Sequence, residues 1–178
     1  HEVCRQLILA RMSEQTHERL CVALADAIEG DAPRDEAARF EYLQRAGATA
    51  RAAQHVGTAL EAASARLAFS HAARLQRWVL EQTPPEDPRK RRVLARALAG
   101  FEAASGRYEL SAQILEKIAA ELAPGDERTR SLCDAAEAWF YAGALGRAGE
   151  AIEEALSYFG ERYVTSVSGG VSSRLREG

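Results

Sequence analysis

"SGRYELSAQILEKIAAELAPGD", residues 105–126, is the stretch whose reading decides the fold. Helix-favouring residues run up to Ser105, stop at Gly106, restart at Tyr108 and stop again at Pro124-Gly125. Glycine accepts the left-handed backbone that closes a helix. The aromatic ring of Tyr108, two residues on, suits the notch where two helices diverge. Ser111, five residues on, is small enough to let them approach. The stretch therefore predicts two helices joined by a tight corner.

Working outward, the same arrangement recurs at Leu67-Ala-Phe69-Ser-His-Ala72 and at Gly143-Ala-Leu145-Gly-Arg-Ala148. The corners lie 37–39 residues apart, inside the range of two-helix repeats. Between them, "TPPEDP" at 83–88 reads as a loop in which Asp87 caps the next helix and Pro88 takes its first position. Ser13 caps a helix carrying Leu20, Leu24 and Ile28, which ends at Gly30. Pro33 opens the next, which stops at Gly47. A helix over 50–66 places Val56, Leu60 and Ala63 on one face. Helices over 88–105 and 108–122 follow, then one capped by Asp126 and running to Ala142, and a last one from Leu145.

Alanine, leucine, glutamate, arginine and glutamine dominate, and β-branched residues are sparse. The expectation is an all-α domain over 1–160 made of antiparallel helix hairpins at 13–46, 49–82, 88–122 and 126–159, which the resemblance of the corners to tetratricopeptide (TPR) repeats implies are stacked as a right-handed superhelix. With an extra helix at the amino end, that makes about eight or nine helices. Longer proline-bearing loops are expected between hairpins, and 161–178, including "SVSGGVSS", reads as an extended or mobile tail. With 178 residues and a formal net charge of −3, the chain has no global attraction for nucleic acid or an acidic membrane surface. Apolar runs are too short to span a membrane. Cys4, Cys21 and Cys133 read as reduced thiols of a cytoplasmic protein. The opening "HEVCRQLIL" and closing "SSRLREG" read as the edges of a piece of a larger chain.

The corner pattern resembles the tetratricopeptide (TPR) repeat, with Leu98-Ala99 and Ala135-Ala136 at its first-helix positions and Pro84 and Pro124 as its terminal prolines. The order of features resembles a more specific class. His1, Glu2 and Arg5 stand in a His-(Asp/Glu)-x-x-Arg pattern, and residues 19–29 form an Arg-x-x-Leu helix with Cys21 where His is common. Residues 46–52 and the corner at 67–75 complete the series. Together these resemble the region downstream of the nucleotide-binding module in bacterial STAND-type signalling ATPases. That class includes ATPase regions fused to serine/threonine kinases and regulators of the maltose-activator type. The resemblance implies a sensor or scaffold segment. The sequence holds no Gly-x-x-x-x-Gly-Lys-(Ser/Thr) motif, so ATP hydrolysis is not expected of it.

No catalytic constellation stands out. His17 and Cys21, one helical turn apart, would be half a zinc site, but no second pair has usable spacing, so packing is their expected role and neither metal nor cofactor is expected. His55 and His71 lack an acid or nucleophile at a recognised spacing. "PRKRR" at 88–92 is the sharpest charge cluster. It sits where cations oppose the helix macrodipole, and reads as a solubilising face or a contact for an acidic partner. The resemblance to TPR stacks implies a concave groove lined by first helices. Its usual positions fall on Gln54, Thr58 and Glu61, then Arg96 and Gly100, then Arg130, Cys133, Glu137, Phe140 and Tyr141. Consecutive residues turn by about 100° on a helix, so Trp139 is expected in the core and Phe140 or Tyr141 partly exposed. The expected function is non-catalytic protein or peptide binding, or contact with other domains of a parent chain, with Arg96 and Arg130 as carboxylate anchors. The alternative is binding of a small-molecule inducer in a closed pocket around Phe140 and Tyr141.

Overall fold

The computed structural model describes residues 11–30 and 35–157. The helix expected ahead of residue 13, Pro33 and the tail 161–178 lie outside the described residues. Those described form eight α-helices and no strand: α1 (Glu14–Gly30), α2 (Glu36–Arg45), α3 (Thr49–Ala65), α4 (Phe69–Gln82), α5 (Pro88–Ala104), α6 (Tyr108–Ala120), α7 (Asp126–Tyr141) and α8 (Leu145–Ser157).

The termini follow capping chemistry. Ser13 Oγ accepts from the Thr16 amide at 3.3 Å, and Asp35 and Asp87 accept from the amides of Ala38 and Lys90, each at 3.0 Å. Pro88 begins α5 as expected. Asp126 is not a cap. Gly125 holds that position without a side-chain bond, and Asp126 and Glu127 occupy the first turn of α7, where carboxylates favour the macrodipole.

Four corners share one backbone solution. Gly47, Leu67, Gly106 and Gly143 have φ of 66°, 56°, 81° and 79°. The amide of each bonds to the carbonyl three residues back, and the following amide bonds to the carbonyl five back, all at 2.9–3.0 Å. Leu67 does this with a side chain in the left-handed region, 72 % exposed. The corner at Gly47 departs from the expectation of longer loops between hairpins, which holds at 83–87 and 121–125 but not at 46–48. Small residues five positions past the corner are buried at Ala52, Ala72 and Ser111. The apolar plug two positions past the corner is less general: Leu145 is 64 % exposed, and Ala144 and Ala148 pack beside Trp139 instead.

The chain divides into two compact units, His1–Gln82 and Thr83–Gly178. In the first, α1 packs on α2, α2 on α3 and α3 on α4. Helix α1 buries Cys21 and Ala25 and leaves Leu20 and Leu24 exposed, one residue round from the face expected; both series share the same spacing, so periodicity alone does not choose between them. Phe40 and Trp78 meet edge to face at 5.0 Å, joining α2 to α4. In the same unit His55 Nδ1 donates to Glu36 at 2.8 Å, Arg74 donates to Glu41 at 2.6 Å, and Arg51 pairs with Asp26.

In the second unit each helix from α5 to α8 again packs on the next. Ala99 of α5, Leu115 and Ile118 of α6 and Ala135 of α7 form one buried cluster. Trp139 packs on Ala112 and Ala138, donates Nε1–H to Glu116 at 2.7 Å, and lies under the Arg147 guanidinium at 4.4 Å. Its expected place in the core is observed.

Candidate binding cleft

The second unit leaves a cleft of about 340 Å³ between α5, α6 and α7. Its α5 wall is Arg96, Ala99, Gly100 and Ala103, three to four residues apart and therefore on one face. Nothing lies within 4 Å of where a side chain on Gly100 would begin. The α7 wall repeats the spacing with Asp134, Glu137, Ala138 and Tyr141, and α6 supplies Tyr108, Ser111 and Leu115. Five of these eleven residues are alanine, glycine or serine, which is why the walls leave space between them.

Each end of the cleft is held by a specific contact. At the corner end the rings of Tyr108 and Tyr141 pack at 5.3 Å with a tilt of 32°. Tyr108 starts α6 directly after the Gly106 corner. That corner is fastened by Arg107, whose Nε donates to the fully buried Glu102 carboxylate, and by Ser105 Oγ, which donates to the Glu102 carbonyl at 2.8 Å. At the other end Arg96 donates to Asp134 at 2.6 Å and, through its second terminal nitrogen, to Ser131 Oγ. Side-chain exposures of 34 % and 44 % limit the Arg96–Asp134 pair to about 0.5–1 kcal/mol. Its main effect is to fix α5 against α7.

The structure thus brings Arg96, Gly100, Glu137 and Tyr141 together and leaves the other expected site residues apart. Arg130 and Cys133 are exposed on α7 outside the cleft lining. Phe140 is 60 % exposed and meets only the edge of Tyr141 within the aromatic contacts, at 5.8 Å. Gln54, Thr58 and Glu61 are exposed along α3, in the other unit. Arg96 is engaged by Asp134 and Ser131, so it is not the free carboxylate anchor expected. Two cleft residues lie outside the sequence expectation. Local spacing marks Tyr108 only as a corner plug, and Asp134 stands three residues before Glu137 and seven before Tyr141, on their face of α7.

Elsewhere, His17 and Cys21 lie side by side with ring nitrogens 3.8 and 4.0 Å from Sγ, and no group of three or more metal-ligating side chains converges among the described residues. None of the described helices is long and apolar enough to cross a membrane. No protein-family model, curated protein or solved structure matches the chain.

Proposed function

We propose that the chain is a non-catalytic protein-interaction module built of TPR-like helix hairpins, and that it docks an extended peptide in the cleft between α5 and α7. The observation that carries this reading is the side-chain-poor face Ala99-Gly100-Ala103, opposed by Ala138 and closed at one end by Tyr108 and Tyr141. That face extends about 10 Å from Arg96 to Ala103 at 1.5 Å per residue, the span of about three residues of extended chain. An apolar side chain of the peptide fills the floor, and the tyrosine pair supplies the large, stiff contact area that favours recognition. The corner pattern and the resemblance of residues 1–160 to helical regions of STAND-type regulators support a role within a larger cytoplasmic signalling protein.

The test is selection of peptides from a random library against the full chain, followed by calorimetry with wild type and Gly100→Leu. The expected peptides share an aliphatic or aromatic anchor and bind Gly100→Leu at least about tenfold more weakly, because the added side chain occupies the floor. Equal affinity for both proteins would contradict the reading. A second reading, inducer binding, is favoured by one observation: a volume of about 340 Å³ beside paired tyrosines lies in the range of small-ligand pockets. Under that reading no peptide is selected, and a small amphipathic molecule raises the thermal midpoint of the wild type but not of Gly100→Leu.

A further inference from the structure

The basic run at the start of α5 is unexplained by the cleft. Of the other helices, α1, α2, α6 and α7 open with a carboxylate in the first turn: Glu14, Glu36, Glu109, and Asp126 with Glu127. Helix α5 has none there and carries Arg89, Lys90, Arg91 and Arg92 instead. Cations at that end oppose the macrodipole. A fold that breaks a local rule without a compensating internal contact does so most often for function.

The internal contacts do not compensate here. Arg91 turns back to the Thr83 carbonyl. Arg89 and Arg92 make no ion pair among the described residues, whereas Arg51, Arg74, Arg107, Arg128 and Arg147 each reach a carboxylate. Arg89, Arg92 and Arg96 lie on one face and line a second cleft of about 310 Å³, with Val93 among them and Ile118 in its wall. Val93 is 69 % exposed. The remaining wall is Glu127, and Asp134 already neutralises Arg96, so two guanidinium groups face one carboxylate.

We propose that this surface docks an acidic peptide segment carrying one apolar side chain. Carboxylates of the segment engage Arg89 and Arg92, whose planar forks match carboxylate geometry, and the apolar side chain rests on the exposed Val93. A nucleic acid fits less well. Its backbone asks for an extended basic stripe, which this short cluster in a chain of net charge −3 does not offer. The surface shares only Arg96 with the α5–α7 cleft, and the inference does not rest on the reading of that cleft.

The experiment is fluorescence anisotropy of the full chain with a labelled peptide alternating Glu and Leu, its Lys-for-Glu counterpart, and a labelled oligouridylate. The Glu–Leu peptide is expected to bind, more weakly as salt rises, and to lose at least about tenfold in affinity to Arg89→Glu/Arg92→Glu. Arg89→Gln/Arg92→Gln, which adds no carboxylate beside Glu127, is expected to lose affinity too while circular dichroism shows it folded, so lost binding does not report unfolding. Gly100→Leu leaves this binding unchanged, which separates the two surfaces. Failure of the Glu–Leu peptide to bind, equal binding of the Lys peptide, tighter binding of the oligouridylate, or retained affinity in the double variant would each overturn the proposal.

Discussion

In the first unit α2 meets α4 through Phe40 and Trp78, two large rings buried to 2 % and 9 % exposure. In the second unit α5 and α7 instead turn small residues, Ala99, Gly100, Ala103 and Ala138, toward the space between them. Both units use the same backbone corner, at Gly47 and Leu67 in one and at Gly106 and Gly143 in the other, so the difference between them lies in side-chain volume. Large rings fill the junction in one case. Small residues leave a cleft in the other.

The largest expected effect tests the filled junction. Phe40→Ala removes a ring from a well-packed site and should lower unfolding free energy by about 3–5 kcal/mol. Urea denaturation of the full chain measures it, and a loss below about 1 kcal/mol would mean that the junction is not close-packed.

A smaller effect tests what holds the open junction in shape. Arg107→Ala leaves the buried Glu102 carboxylate without its guanidinium and should cost about 2 kcal/mol, less than for a fully buried pair because Arg107 is 37 % exposed. The same variant loosens the corner bearing Tyr108, which packs on Tyr141, so the near-ultraviolet circular dichroism should change with it. A stability change within about 0.5 kcal/mol would remove the pair from the account.

The smallest effects should have opposite signs at two corners that look alike. Gly106→Ala puts a side chain into the left-handed region and should cost about 1 kcal/mol. Leu67→Gly relieves that conformation at a position with little packing to lose and should gain about 0.5–1 kcal/mol. Equal signs in thermal denaturation would break the equivalence of the corners.

These corners were also the most legible part of the sequence. Glycine at 106 and 143 carries a backbone requirement that can be read directly, and the small residues at Ala72 and Ser111 mark close approach. Proline and Asp87 gave the start of α5 for the same reason. Faces were harder. Leu20-Leu24 and Cys21-Ala25 have identical spacing, and only packing distinguishes the buried pair. Cleft membership was harder again. Arg96 looked like a free anchor because nothing local announces that Asp134, 38 residues away, accepts its hydrogen bond. Tyr108 serves both the corner and the cleft, and local spacing reveals only the first role.

The most direct measurement pairs stability with binding in one variant, Gly100→Leu. A leucine at this helical site has open space before it and better helix propensity, so the unfolding free energy should hold or rise by about 0.5–1 kcal/mol. Titrated with a peptide selected on the wild type, the same sample should bind at least about tenfold more weakly. A stable variant that binds as tightly as the wild type would contradict the assignment of the open junction as the docking site.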